Sequence, residues 1–249
     1  MARLRAVFLD VGHTLIRPEP SVGVVYARAA ERFGARVDPA AIDRVLDEAF
    51  RSRVAEAAGR PDRLATSDAE DYAMWKYLTR SLIGRVPGLD VPFEPWFADL
   101  FADFGRPGAW RVYPDAFPAI DRFREMGLAV GIVSNWDSRI VPILDGLGIR
   151  SRVDAVIFSA RVGFKKPHRR IFEEALRRFG GLAPSEALHI GDSETEDLRG
   201  AAALGIRALL LDRSGRRPHG PAVVRDLLEA AARARGMSRT GRGHRPRSS

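Results

Sequence analysis

Several apolar runs in this chain stop on polar residues of a kind that can do chemistry. "AVFLD" ends on Asp10, "GIV" runs into Ser134 and Asn135, "LHIG" ends on Asp192, and "VGFKKP" carries Lys165 and Lys166. Brought to one rim, these supply acids, a hydroxyl, an amide and a cation, the makings of a polar reaction centre for a charged ligand. Each group also has an ordinary structural use. Ser134-Asn-Trp-Asp137 and Ser193-Glu-Thr-Glu196 both fit helix capping boxes, Asp10 and Asp192 fit turns, and a single lysine fits a solvated surface. Their recurrence at the ends of successive strands favours a shared site.

The elements that would place them alternate from residue 128 onward. "LAVGIVS" (128–134), "DAVIFS" (154–159), "ALHIGD" (187–192) and "IRALLLD" (206–212) read as strands, separated by helical patterns and followed by a last helix from about Pro221. Nearly continuous apolar strands interleaved with helices predict a parallel sheet covered on both faces, with "RAVFLD" as a further strand. In such a sheet the ligand site lies beyond the carboxyl ends of the strands. Residues 17 to 110 instead show helical periodicity alone, through Val22, Val25, Tyr26, Ala29 and Phe33, then Ile42, Val45, Leu46 and Phe50, then Tyr72, Trp75 and Leu78, then Trp96, Phe97 and Leu100. The expected organisation is an α/β core over 1–16 and 111–230 with a Rossmann-like parallel sheet, an all-helical cap over 17–110, and a basic disordered tail over 231–249.

Asp10-x-x-x-Thr14-Leu15, an apolar strand with Ser134-Asn135, Lys166-Pro167 before a helix, and Gly191-Asp192-Ser193-x-x-x-Asp197 together resemble the four motifs of the haloacid dehalogenase-like hydrolase superfamily. The insert between the first two motifs is similar to the cap of its helical-cap branch. The resemblance implies that Asp10 is a nucleophile forming an aspartyl-phosphate. It further implies Mg²⁺ held by Asp10, the Gly12 backbone carbonyl and Asp192, with Asp197 nearby or acting through water. Ser134 and the Asn135 amide would bind phosphoryl oxygens, and Lys166 would balance their charge. The expected substrate is a small phosphorylated metabolite.

One position departs from that pattern. Phosphatases of this superfamily usually carry a second aspartate two residues after the nucleophile, as general acid and base, and here Gly12 stands in its place. General acid-base help is worth about 10²- to 10⁴-fold, so slow turnover is expected unless something replaces it. His13 is the nearest titratable candidate; a water, or a leaving group that needs no proton, would serve as well. Competing expectations are 2-haloacid dehalogenase-type chemistry, phosphonate C–P hydrolysis, and a weakly active phospho-ligand binding or scaffold protein. The acid at Asp192 counts against the first. The only lysine of the insert, Lys76, makes a weak case for the second.

Composition narrows the rest. With 249 residues and 45% apolar content the chain can bury a sizeable core, and without cysteine it can form neither disulfides nor thiolate metal sites. Its formal charge of +8 falls to about +2 without the six arginines of the last seventeen residues, so a nucleic-acid role is expected only as weak tail contacts. No signal peptide or membrane span is visible, which gives a cytoplasmic protein as the expectation.

Overall fold

A computed structural model describes residues 2–57 and 63–239. Its centre is a six-stranded, all-parallel sheet in the order β5-β4-β1-β6-β7-β8. The strands are β1 (Ala6–Leu9), β4 (Ala129–Ser134), β5 (Ala155–Phe158), β6 (Ala187–Gly191), β7 (Arg207–Leu211) and β8 (Val223–Val224). Alternation along β1 shows how both faces are used. Val7 and Leu9 enter one apolar cluster with Ile120 and Phe123 of α5 (Ala116–Glu125), Ile140 and Ile143 of α6 (Ile140–Gly146) and Ala230 and Ala234 of α10 (Leu227–Arg239). Ala6 and Phe8 enter a second with Ile171, Phe172 and Ala175 of α8 (Arg169–Arg178) and Ala201 of α9 (Gly200–Ala203). The α/β class read from the sequence is the one observed.

The chain runs from β1 outward through β4 and β5, then returns to the other side of β1 for β6, β7 and β8. That reversal makes the carboxyl end of β1 a topological switch point, where the loops on either side diverge and leave a crevice. Register fixes what meets there: Leu9 pairs with Ile132 of β4 and with Ile190 of β6, so Asp10, Ser134 and Asp192 leave the sheet at neighbouring levels.

Four helices lie between the first strand and the rest of the core: α1 (Val22–Glu31), α2 (Pro39–Ala57), α3 (Asp68–Arg80) and α4 (Phe93–Asp103). Ser21 and Ser67 cap α1 and α3, accepting from Val24 and Glu70 N–H. These helices share their own apolar cluster around Tyr26, Ile42, Leu78, Trp96 and Leu100, as the aromatic stripes imply. α7 (Ser159–Val162) follows β5.

Three details differ from the sequence reading. An antiparallel ribbon of β2 (Ile16–Pro18) and β3 (Trp110–Val112) closes the base of the helical insert, where only helix was expected; three-residue strands carry too few alternations to show in a sequence. Val223–Val224 extends the sheet, so the last helix begins at Leu227 rather than near Pro221. The tail expected from 231 is helical as far as Arg239, because Ala231 and Ala234 pack against the core. Residues 240–249 lie outside the described residues. Among the described residues no helix is long and apolar enough to cross a membrane.

Candidate active site

Asp10 sits in a turn tied at both ends. Its N–H donates to the Ile190 carbonyl at 2.9 Å, and the Val11 carbonyl accepts from Leu15 and Ile16 N–H at 2.8 and 3.0 Å. His13 takes the left-handed position of the turn, φ 54°, its N–H on the Ile16 carbonyl at 2.7 Å. The Gly12 carbonyl accepts no hydrogen bond among the described residues. A residue missed in the sequence, Arg213, clamps this turn from outside: its guanidinium donates to the Thr14 carbonyl at 2.8 Å and the His13 carbonyl at 3.3 Å, and pairs with both Asp115 oxygens at 3.0 Å.

Lys166 is the hub of the site. Its side chain is 1% exposed, and Nζ donates to Asp10 Oδ1 and Asp197 Oδ1, both at 2.6 Å. Burial works against the ammonium, yet the two carboxylates outweigh it and drive its pKa upward. Ser134 Oγ donates to the same Asp10 Oδ1 at 2.9 Å, which leaves Asp10 Oδ2 without a hydrogen bond among the described residues. The Asn135 side chain grips the lysine's own peptide, accepting from Lys166 N–H at 2.6 Å and donating to its carbonyl at 3.1 Å; it also reaches Glu196 at 3.0 Å. Glu196 is raised by burial, against the pull of Lys166.

Asp197 is bonded on three sides. Besides Lys166, His189 Nε2 meets its Oδ1 at 2.8 Å and Ser193 N–H donates to Oδ2 at 3.0 Å. Burial alone would raise this carboxyl, but Lys166 and His189 overcome it and hold it below the usual carboxylate range. Asp197 is therefore acceptor-only, which assigns the proton between them to His189 Nε2. His189 is wholly buried, and its Nδ1 has no partner. Gly191 makes this packing possible, since a Cβ there would lie 2.2 Å from the Asp197 carboxyl.

Asp10, Asp192 and Asp197 offer oxygens that all lie within 4.8 Å of one another. Asp192 as a residue reaches solvent, but the solvent taken from its carboxyl, and then the Asp10 and Asp197 charges, raise it to about 7 against the pull of Lys166. Three carboxylates thus share one ammonium. The deficit of positive charge and the all-oxygen donor set fit a hard divalent cation. Asp10 and Asp192 have oxygens to spare for it; Asp197 has both of its oxygens engaged.

A family model for haloacid dehalogenase-like hydrolases matches residues 4–205. The chain belongs to this family. Among haloacid dehalogenase-like hydrolases it is 32% identical over 222 residues to haloacid dehalogenase-like hydrolase domain-containing protein 3 of Bos taurus, covering 89% of this chain and 86% of the relative. It is 30% identical over 241 residues to a phosphoserine phosphatase of Thermus thermophilus, covering 90% and 94%. In structure it resembles L-2-haloacid dehalogenase from Xanthobacter autotrophicus with a TM-score of 0.69 at 21% identity, covering 94% and 99%. That likeness establishes the haloacid dehalogenase-like fold alone.

Asp10, Gly12, Ser134, Asn135, Lys166, Asp192 and Asp197 converge on this rim; His13 is exposed on the turn and enters through its backbone, and Lys76 of the insert pairs instead with Glu94 at 2.6 Å. Arg213, His189 and Glu196 are the additions. His189 interrupts an otherwise apolar strand, which was the available signal for it; Arg213 had none among so many arginines.

Proposed function

We propose that this hydrolase releases phosphate from a small phosphorylated metabolite, with Asp10 as nucleophile and Mg²⁺ as cofactor. The observation that carries the reading is Lys166, buried and bridging Asp10 to Asp197 beside an Asp192 carboxyl that lacks a counter-charge. A family relationship to a phosphatase and a donor set suited to a hard cation support it further. Carbon-halogen cleavage gives no use for the third carboxylate.

Asp10 attacks phosphorus through a carboxylate that Lys166 ion-pairs and Ser134 holds in one rotamer. Lys166 also offsets the charge that accumulates as two anions approach. Asn135 holds the peptide that carries Lys166, and His189 and Ser193 hold Asp197, so the ammonium has one place to go. Asp10, the Gly12 carbonyl and Asp192 would hold the metal, and Asp197 would face it through water. Bound there, Mg²⁺ supplies Lewis-acid polarisation of phosphoryl oxygens. The four cap helices lie over the sequence between Asp10 and the remaining motifs, and we assign them substrate selection.

The test is phosphate release from a panel of small phosphorylated compounds with and without Mg²⁺. Metal-dependent release that is lost in Asp10→Asn is the expected result. Halide release from 2-haloacids without metal would replace this reading with the dehalogenase one.

A further inference from the structure

Beside Asp10 the site has a wall that carries no acidic proton. A Cβ on Gly12 would meet Trp136 Cζ3 at 3.5 Å, ordinary contact, and Gly12 has no positive φ. A side chain would be tolerated here, so the glycine answers no backbone need. The indole facing it is fixed. Trp136 N–H donates to Ser159 Oγ at 3.0 Å, and its carbonyl accepts from Ala160 N–H at 3.2 Å. Its ring meets Trp110 edge-on at 5.0 Å, and Trp110 is itself anchored by Nε1–H to the Phe104 carbonyl at 3.1 Å. Trp136 is only half-buried.

Three polar side chains packed on Asp10 and its lysine are already engaged. Ser134 donates to Asp10, the Lys166 ammonium to two carboxylates, the Asn135 amide to Lys166 and Glu196. Asp192 would be taken up by the cation. A leaving oxygen next to Gly12 and Trp136 therefore meets an aromatic ring and no acid.

We propose, resting on the phosphatase reading above, that the Gly12–Trp136 wall suits phosphate compounds whose leaving oxygen departs as a planar, resonance-stabilised anion without taking a proton, namely aryl, enol or acyl phosphates. In the first step an Asp10 oxygen forms a bond to phosphorus and the bond from phosphorus to the leaving oxygen breaks. That oxygen keeps the electron pair and departs as phenolate, enolate or carboxylate. In the second step water attacks the aspartyl-phosphate, the bond to Asp10 breaks with its electron pair on the carboxylate, and both water protons leave with dihydrogen phosphate. Neither step calls for a general acid, since the second leaving group is itself a carboxylate.

Leaving-group acidity decides the matter. Phenols ionise near pKa ~10 and carboxylic acids near ~4, whereas a simple alcohol lies close to water at ~15.7. The need for the ~10²- to 10⁴-fold of proton assistance rises with that pKa, so an enzyme without an acid loses most on the last of these. Indole can also stack on a flat leaving group and gains nothing comparable from a flexible one.

The test measures kcat/KM with Mg²⁺ for acetyl phosphate, phenyl phosphates of graded leaving-group pKa, and an alkyl ester such as glycerol phosphate. A steep fall with leaving-group pKa is expected, with the alkyl ester at least ~10²-fold below the others, and Gly12→Asp should raise the alkyl-to-aryl ratio by a comparable factor. A binding readout is independent of turnover. By calorimetry in the Asp10→Asn protein, Trp136→Ala should weaken phenyl phosphate ~3- to 10-fold more than methyl phosphate. Alkyl and aryl esters cleaved at similar rates would overturn the proposal and point to a proton donor such as His13, leaving the phosphatase reading intact. Phosphate release from none of these compounds would overturn both.

Discussion

The two sides of the crevice are held together in different ways. On the core side Lys166, Asp197 and His189 are buried, and four hydrogen bonds run through the side chains of Lys166 and Asp197 alone. On the side facing the helical insert the ties are scattered and are made mainly by backbone groups and by the exposed pair Asp68 and Ser138. The exposed Asp68 at the start of α3 accepts from Ser138 N–H at 2.7 Å and Oγ at 2.6 Å. Arg139 pairs with Asp137 and donates to the Phe101 carbonyl at 2.8 Å. A short bridge pairs Ala65 with Phe164, and Lys165 N–H donates to the Leu64 carbonyl at 2.9 Å. The contrast teaches that the charged centre is preorganised whereas the seam above it can part at small cost, which is what a substrate needs in order to enter.

Removing the hub should break the core side outright. Lys166→Met leaves three neighbouring carboxylates with no internal cation, and the loss of one partner of a buried ion pair costs roughly 3–5 kcal/mol. Denaturant titration at neutral pH should show that loss, and phosphate release should fall below detection. A milder cut is His189→Leu, which removes one donor from Asp197. We expect about 1–3 kcal/mol of destabilisation, toward the low end because the substitution also removes the unpaired Nδ1. His189→Gln should recover part of it. Equal stability of wild type and His189→Leu would show that Asp197 does not depend on this contact.

How much of this was legible in the sequence depended on whether a residue's partner was local. Strand ends located Asp10, Ser134 and Asp192, because a parallel sheet sends such residues to one rim. Two look-alike segments show the limit. Ser193 Oγ accepts from Glu196 N–H at 3.2 Å as a helix cap, half of the expected capping box, while its own N–H goes to Asp197 instead of Glu196. Ser134 heads the same pattern, yet its hydroxyl crosses 124 residues of sequence to Asp10. Nothing within four residues separates the two cases; the neighbouring strand does. Arg213 was illegible for the same reason, since its partners Thr14 and Asp115 lie far away in sequence. The β2–β3 ribbon was missed because three residues on each side are too few to set a period.

Asp192 gives the core side a pH signature. A carboxyl raised to about 7 when folded binds a proton that the unfolded chain has already released, so without metal the protein gives up stability as pH rises from about 4 through 7 and does not regain it above. Asp197 runs the other way: its pKa is lowered, and its contribution is lost only as pH falls below the usual carboxylate range. A cation bound at Asp192 must displace that proton. Apparent Mg²⁺ affinity, followed by calorimetry or by the metal-induced shift in Tm, should fall about tenfold per pH unit below pH 7. An affinity flat from pH 5 to 8 would remove Asp192 from the metal site.

The seam should respond weakly in stability and clearly in local opening. Asp68→Ala deletes two hydrogen bonds between α3 and the Ser138 loop, together with a favourable charge in the first turn of α3. Because Asp68 and Ser138 are both exposed, we expect no more than about 1 kcal/mol in global unfolding. Hydrogen exchange at Thr66, Lys165 and Ser138 should nevertheless accelerate, because these amides are held across the seam: Thr66 on Gly163, Lys165 on Leu64 and Ser138 on Asp68. Exchange at Asp10 and Asp197, whose amides bond within the core to Ile190 and Ser193, should not change. If both sets accelerate together, the seam and the charged centre open as one unit, and the distinction drawn between the two sides fails.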